Sequence, residues 1–230
     1  MTADQVGLAR KLTAEALGTG LLIVAVVGSG IMAQRLSPDD VGLQLLENAA
    51  ATAGALIGLI LMFGSISGAH FNPAVTLSFR WFGDHTNTET AAYIGAQIIG
   101  GCVGTVIANL MFDLSAVNVS TKVRSSGSLW LSEVVATAGL LLLIHGIVRS
   151  GRSSTAPFAV GAWIGGAYWF TSSTSFANPA VTVARTLSDT FAGIKPSSAP
   201  MFIVMQLVGV TVAVALVGFL YPVKRGSADR

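Results

Sequence analysis

The amino-acid sequence predicts an all-α membrane protein: six transmembrane helices plus two re-entrant half-helices, arranged as an inverted repeat. Three observations predict it. The chain is 52% hydrophobic and only 10% charged, whereas a soluble domain needs roughly 25% charged residues to cover its surface. Its apolar residues gather into stretches of about twenty, the length at which a helix rising 1.5 Å per residue crosses a hydrocarbon core of ~30 Å. The pentapeptide Asn-Pro-Ala-Val-Thr occurs twice, from Asn72 to Thr76 and from Asn178 to Thr182.

The six long segments fall at about 8–33, 42–64, 89–112, 128–149, 156–172 and 199–221. The first follows Arg10 and Lys11 and has no small-residue cleavage site after a short apolar core, so it reads as a retained helix. Six spans return both termini to one side. With that side inside, Arg10, Lys11, Arg80, Arg149, Arg152, Lys224, Arg225 and Arg230 are cytoplasmic, and Arg35, Lys122, Arg124, Arg185 and Lys195 lie opposite. This excess of positive residues points to cytoplasmic termini.

One domain, 1–230, accounts for the whole chain, with repeats at about 8–112 and 128–221. Three spans per repeat invert the second copy relative to the first. Landmarks recur in the same order. Glu15-x-x-x-Thr19 in the first segment answers Glu133-x-x-x-Thr137 in the fourth, and Gln97-x-x-Gly100 in the third answers Gln206-x-x-Gly209 in the sixth.

Each Asn-Pro-Ala reads as a helix start, because Asn is a favoured N-cap and Pro a favoured first helical residue. The set is Asn72, Pro73, Ala74 and Asn178, Pro179, Ala180. Each opens an apolar stretch of about eleven residues, Asn72 to Phe82 and Asn178 to Ser188, roughly 16 Å of helix, or half the bilayer core. Two such half-helices entering from opposite faces bring their N-termini together at mid-membrane, each with unpaired N–H groups and a partial charge of about +0.5. Cations and protons are disfavoured there. Irregular backbone at this depth must be packed in protein or line a water-filled conduit. The approach segments, Gly64 to Phe71 and Thr171 to Ala177, are expected to supply a ladder of carbonyl acceptors, with Gly68, Ala69, His70, Phe176 and Ala177 lining it. The Asn72 and Asn178 amides donate at its centre.

Residues 67–76, Ser-Gly-Ala-His-Phe-Asn-Pro-Ala-Val-Thr, resemble the first signature of the aquaporin, or major intrinsic protein, family, and the resemblance extends over nearly the whole length. It implies a pore within each protomer, a homotetramer, and passage of water and small neutral solutes across the bilayer. It also implies that Glu15 and Glu133 anchor the re-entrant loops, and that His70 contributes a pore-lining carbonyl and a side-chain donor. His145 has no such match and is expected to be structural or interfacial.

The family usually places Arg directly after the second Asn-Pro-Ala; here the residue is Val181. Counting by the family pattern gives a deduced selectivity filter of Thr52, Gly166, Ser175 and Val181. Water-selective relatives carry a bulky aromatic residue and a His where Thr52 and Gly166 fall. Small residues at all four positions therefore imply a wide, aquaglyceroporin-like filter, similar to the bacterial subgroup associated with arsenic resistance, for which glycerol and neutral arsenite are candidate solutes. Arg185, two turns beyond Asn178, is expected to pair with the carbonyls ending its half-helix rather than to swing back to replace the missing cation.

Other classes have less support. A secondary transporter would share the inverted repeat but needs an ion-coupling carboxylate at the centre, and none adjoins either Asn-Pro-Ala. A closed scaffold is a third reading, whose mark would be no solute flux. No phosphate loop, metal-ligand spacing or nucleophile–base–acid set appears, so neither an enzyme nor a cofactor nor a metal site is expected. The formal net charge of +2 is scattered and implies no nucleic-acid partner. The lone Cys102 reads as a small buried hydrophobe, and Glu47 as a solvated helix-end charge.

Overall fold

The computed structural model describes residues 6–222. Lys224, Arg225 and Arg230, counted above toward orientation, lie outside the described residues. The helices are α1 (Leu8–Leu36), α2 (Val41–Ser67), α3 (Pro73–Phe82), α4 (Asn87–Met111), α5 (Gly127–Arg149), α6 (Ala156–Phe170), α7 (Pro179–Ala184) and α8 (Ala199–Leu220). The face carrying the start of α1 and the end of α8 is called the near face, and the opposite one the far face.

Polar residues mark several starts of long helices. Asp40 caps α2 through the Leu43 amide, Ser126 caps α5 through Leu129, and Thr86 and Glu89 form a reciprocal capping box at α4. Five of the six expected spans are long and apolar enough to cross a membrane: α1, α2, α4, α5 and the segment ending in α8. The remaining expected span, 156–172, is α6, which starts as expected and ends two residues earlier. α6 has 15 residues, about 22 Å of helix, preceded by a 3-10 turn at Ser153–Thr155. It stops at Phe170 because Thr171 is extended and leads the chain inward. A correction concerns α2, which runs through Ser67 and ends only where Gly68 adopts φ +87°. The first irregular segment is therefore Gly68 to Asn72, shorter than the expected Gly64 to Phe71.

α1 packs between α2 and α4, α5 packs against α8 and α6, and α2 closes against α6. The α1–α4 contact brings backbones together. A Cβ on Gly100 would sit 2.1 Å from the Ala16 carbonyl oxygen, and one on Gly104 2.2 Å from that of Gly20. Small residues permit such contact between membrane helices, where dispersion rather than water exclusion drives association. The periphery presents large apolar side chains such as Leu61, Met62, Ile99 and Phe219, while Glu15, Gln97, Glu133, Gln206 and Arg185 are inside. Polar groups inside and apolar groups outside suit a hydrocarbon surrounding.

Candidate functional site

α3 and α7 point their N-termini at each other. The Asn72 side-chain oxygen accepts from the Ala74 amide at 2.8 Å, and the Asn178 oxygen accepts from Ala180 and Val181 at 3.0 and 3.2 Å. Pro73 and Pro179 follow as first helical residues, where the missing N–H costs nothing. The two amide nitrogens cross over. Asn72 Nδ2 donates to the Ala177 carbonyl and Asn178 Nδ2 to the Phe71 carbonyl, each at 2.8 Å. One N–H of each amide remains free to face a solute.

The approach segments share an unusual backbone. Ala69 and Phe71 have φ of 51° and 49°, and Ser175 and Ala177 have φ of 50° and 48°. These are the third and first residues before each Asn. Left-handed conformations in non-glycine residues cost of order 1–3 kcal/mol each and persist only where the surroundings impose them. Buried carboxylates do so. Glu15 accepts from the Ser67 hydroxyl, the His70 and Phe71 amides and the Gln97 side chain, at 2.6, 3.0, 2.7 and 2.7 Å. Glu133 accepts from Ser173, the Phe176 and Ala177 amides and Gln206, at 2.6, 3.0, 2.9 and 2.7 Å. Gln97 and Gln206 also donate to Thr76 and Thr182, whose hydroxyls reach back to the Asn72 and Asn178 carbonyls. The repeated Glu, Gln and Asn-Pro-Ala-Val-Thr landmarks are thus one network, built twice. All four carboxylate oxygens are engaged, so neither glutamate offers the ion-coupling carboxylate a carrier needs.

A cavity of about 500 Å3 runs past the two asparagines. Its lining includes Gly68, Ala69, His70, Phe71 and Asn72 from the first loop, and Ser175, Phe176 and Asn178 from the second. Ala177 is not at its wall; its carbonyl is used by Asn72. Pro73, Ala74, Pro179 and Ala180 are buried at the helix starts. Toward the near face the wall is His70, Phe79, Ile144 and Val148. His70 Nδ1 lies 3.1 Å from the Thr76 hydroxyl, and its ring stacks on Phe79. His145 is outside this wall, with Nε2 2.9 Å from the Ser78 hydroxyl and its ring against Phe79 and Phe82.

Toward the far face the lining holds Thr52, Ser175 and Val181, but not Gly166. Gly166 is on the exposed side of α6, where a Cβ would meet the Phe170 ring at 3.6 Å. Tyr168 takes the inward place. Two residues turn a helix by about 200°, so a count off by two lands on the opposite face. The Tyr168 hydroxyl lies 3.3 Å from Thr52 Oγ1 across the cavity wall. An aromatic ring therefore stands where a small residue was expected.

Arg185 also departs from expectation. α7 is six residues long and continues as a 3-10 turn, Arg185–Leu187. Arg185 follows Val181 by four residues, one helical turn, and so shares its face. It lines the cavity, is 2% exposed, and stacks its guanidinium 3.5 Å from the Phe176 ring centre. Its Nε donates to the Ala192 carbonyl in the following loop, not to the carbonyls ending its own half-helix. Sequence counting missed Tyr168 altogether; the only signal in its favour was an aromatic hydroxyl near the end of an apolar span, where a buried O–H seeks a partner. Glu47 is half-buried on α2 and accepts from Ser37 at 3.0 Å, outside the cavity wall. Cys102 is half-buried on α4.

The sequence matches the major intrinsic protein family over residues 2–175. The chain belongs to that family. It is 50% identical over 213 residues to the aquaglyceroporin AqpS of Rhizobium meliloti, covering 93% of this chain and 91% of the relative. It is 28% identical to a probable aquaporin, AqpM, of Archaeoglobus fulgidus, covering 93% and 97% of the two chains. The fold matches the aquaglyceroporin structure from Plasmodium falciparum with a TM-score of 0.71 at 21% identity, over 94% and 97% of the chains. This family member is an integral multi-pass membrane channel for water or small solutes, and not an enzyme.

Proposed function

We propose that this aquaporin-family chain is a passive channel conducting water and small uncharged solutes up to the size of glycerol, with neutral arsenite as a further candidate, acting as a homotetramer in a bacterial inner membrane with cytoplasmic termini. The observation that carries this reading is Val181. It lines the cavity one turn from the Asn178 cap, and its apolar branch occupies the place where a fixed cation would narrow the path. Thr52 and Ser175 beside it are small. The cavity lining there is mixed: the hydroxyl-bearing Thr52, Tyr168 and Ser175 together with the apolar Val181 and Leu56. A polyol or trihydroxide carries hydroxyls on one side and an apolar edge on the other, and suits such a wall.

Two half-helix N-termini at the centre disfavour cations, and the free amide N–H of each asparagine offers the solute a donor there. The 50% identity to a named aquaglyceroporin adds weight to glycerol over water alone.

Stopped-flow light scattering on proteoliposomes tests the reading, with water, glycerol and a larger polyol compared before and after Val181→Arg. The added guanidinium is expected to lower glycerol permeability by about tenfold or more while water still passes. Glycerol and arsenite flux unaffected by Val181→Arg would sink the wide-filter reading.

A further inference from the structure

A buried guanidinium carries a large desolvation cost, which hydrogen bonds to its donors must offset. Among the described residues, Arg185 bonds through Nε alone, to a backbone carbonyl, and no carboxylate is hydrogen-bonded to it. Its terminal nitrogens, Nη1 and Nη2, hold four further N–H donors. The side chain is pinned by the Phe176 face on one side and lines the cavity on the other. The Ser175 hydroxyl adds a second signal. It is buried and lines the same cavity, with no hydrogen-bond partner among the described residues, and orphaned buried hydroxyls are uncommon unless water or a ligand satisfies them. The Thr52–Tyr168 hydroxyl pair lines the same cavity and keeps one O–H free to donate.

We propose that Arg185, Ser175, Tyr168 and Thr52 form a solute-recognition site on the far side of the asparagine pair, for compact solutes presenting two or more acceptor oxygens. Arg185 supplies the fixed positive charge from the 3-10 turn that follows α7, four residues beyond Val181. The site rests on the channel reading given above and names how that channel selects. The guanidinium donates to the solute oxygens, and its charge repels cations at a point where little water screens it. Val181, on the same face, leaves room for the solute to pass while remaining in contact with those donors.

The test measures glycerol and water permeability together with methylammonium leak, in proteoliposomes of wild type, Arg185→Gln, Ser175→Ala, and the double variant Val181→Arg/Arg185→Gln. Loss of one or two donor contacts is expected to lower the glycerol-to-water ratio by about fivefold or more for Arg185→Gln and about threefold for Ser175→Ala. Arg185→Gln is expected to admit methylammonium, and the double variant to exclude it again. A purely structural Arg185 would not be rescued by a cation placed one turn away. Wild-type ratios in both single variants would overturn the proposal, as would a methylammonium leak that persists in a folded double variant. Should Arg185→Gln fail to assemble, the Ser175→Ala ratio decides alone, because no group among the described residues is hydrogen-bonded to that hydroxyl. Wild-type vesicles no more water-permeable than bare lipid would instead refute the channel reading.

Discussion

The two half-helices begin alike and end differently. Up to the asparagines the near and far halves match bond for bond: a glutamate holding two loop amides, a glutamine bridging to the threonine, left-handed residues at the same positions, and crossed amides at the centre. Beyond them they part. α3 runs ten residues and stops on a local device, Gly83 at φ +97°. α7 runs six, and its end is held from elsewhere. Thr105 of α4 donates to the Ala184 carbonyl, and Asn109 donates to that of Leu187 while accepting from Ser188. The loop amides of Asn118 and Ser120 bond to Leu187 and Thr186. The centre is built by one hydrogen-bonded device used twice, whereas the far end is a separately fastened rim, which the proposal above makes the selective end.

The largest effect is expected where the halves agree. Glu15→Leu or Glu133→Leu leaves four buried donors unpaired, at about 1–3 kcal/mol each, roughly the whole stability of a folded domain. Neither variant should be recoverable as folded protein in size-exclusion chromatography of detergent extracts. Glu15→Gln and Glu133→Gln keep one acceptor oxygen and are expected to lower Tm by similar amounts. A large difference between those two would break the equivalence of the halves.

A smaller effect should separate the ends. Asn109→Ala removes the side chain that joins α4 to the α7 rim. It is expected to cost about 2–3 kcal/mol, for the lost hydrogen bonds and the partners left bare, and to shift the glycerol-to-water ratio. Gly83→Ala forces a Cβ into a left-handed cap on α3 and is expected to cost about 1 kcal/mol, with that ratio unchanged. Thermal unfolding paired with stopped-flow flux reads both. If Gly83→Ala moved selectivity as much as Asn109→Ala, the rim would not be the selective end.

What the sequence disclosed follows the same division. The half-helix starts, the repeat and the paired glutamates were legible because each is a local signal or a repeated one. Asn-Pro caps a helix wherever it stands, and a carboxyl in an apolar run must have a partner. That Gln97 joins Glu15 to Thr76 was not legible, since those residues are 82 and 21 positions apart and only packing unites them. Gly166 was the expected cavity residue because its place was counted back from Asn178 across the irregular segment after Phe170, and a count does not carry helical phase through non-helical backbone. The face of α6 that lines the cavity is Pro157, Val160, Ile164 and Tyr168. Arg185 was placed with its own helix end for a similar reason: eleven helical residues were expected, and α7 yields to a 3-10 turn after six.

The smallest expected effect lies on the far rim itself, where Lys122 stands near Arg124 and Arg185. Lys122 extends from the loop between α4 and α5, with its ammonium donating to the Phe191 carbonyl at 2.9 Å and set over that ring. Partial removal from water, and then the nearby Arg124 and Arg185, lower its pKa to about 8, against a weaker opposing pull from Asp189. Folding therefore disfavours the charged form. The unfolded chain binds more protons between about pH 8 and the ordinary lysine value near 10.4, so stability should rise with pH across that window and be flat in this respect below it. The residue still meets solvent on one side, and solvent and salt reduce the effect. Thermal unfolding from pH 7.5 to 10 is expected to show a slight upward slope that Lys122→Met abolishes. The same comparison on the near face, with Arg80→Met, should leave the slope in place, because Arg80 is fastened to Asn87 away from other cations of the rim. An equal loss of slope in both variants would mean that the charge crowding is spread over the molecule and is not a property of the far rim.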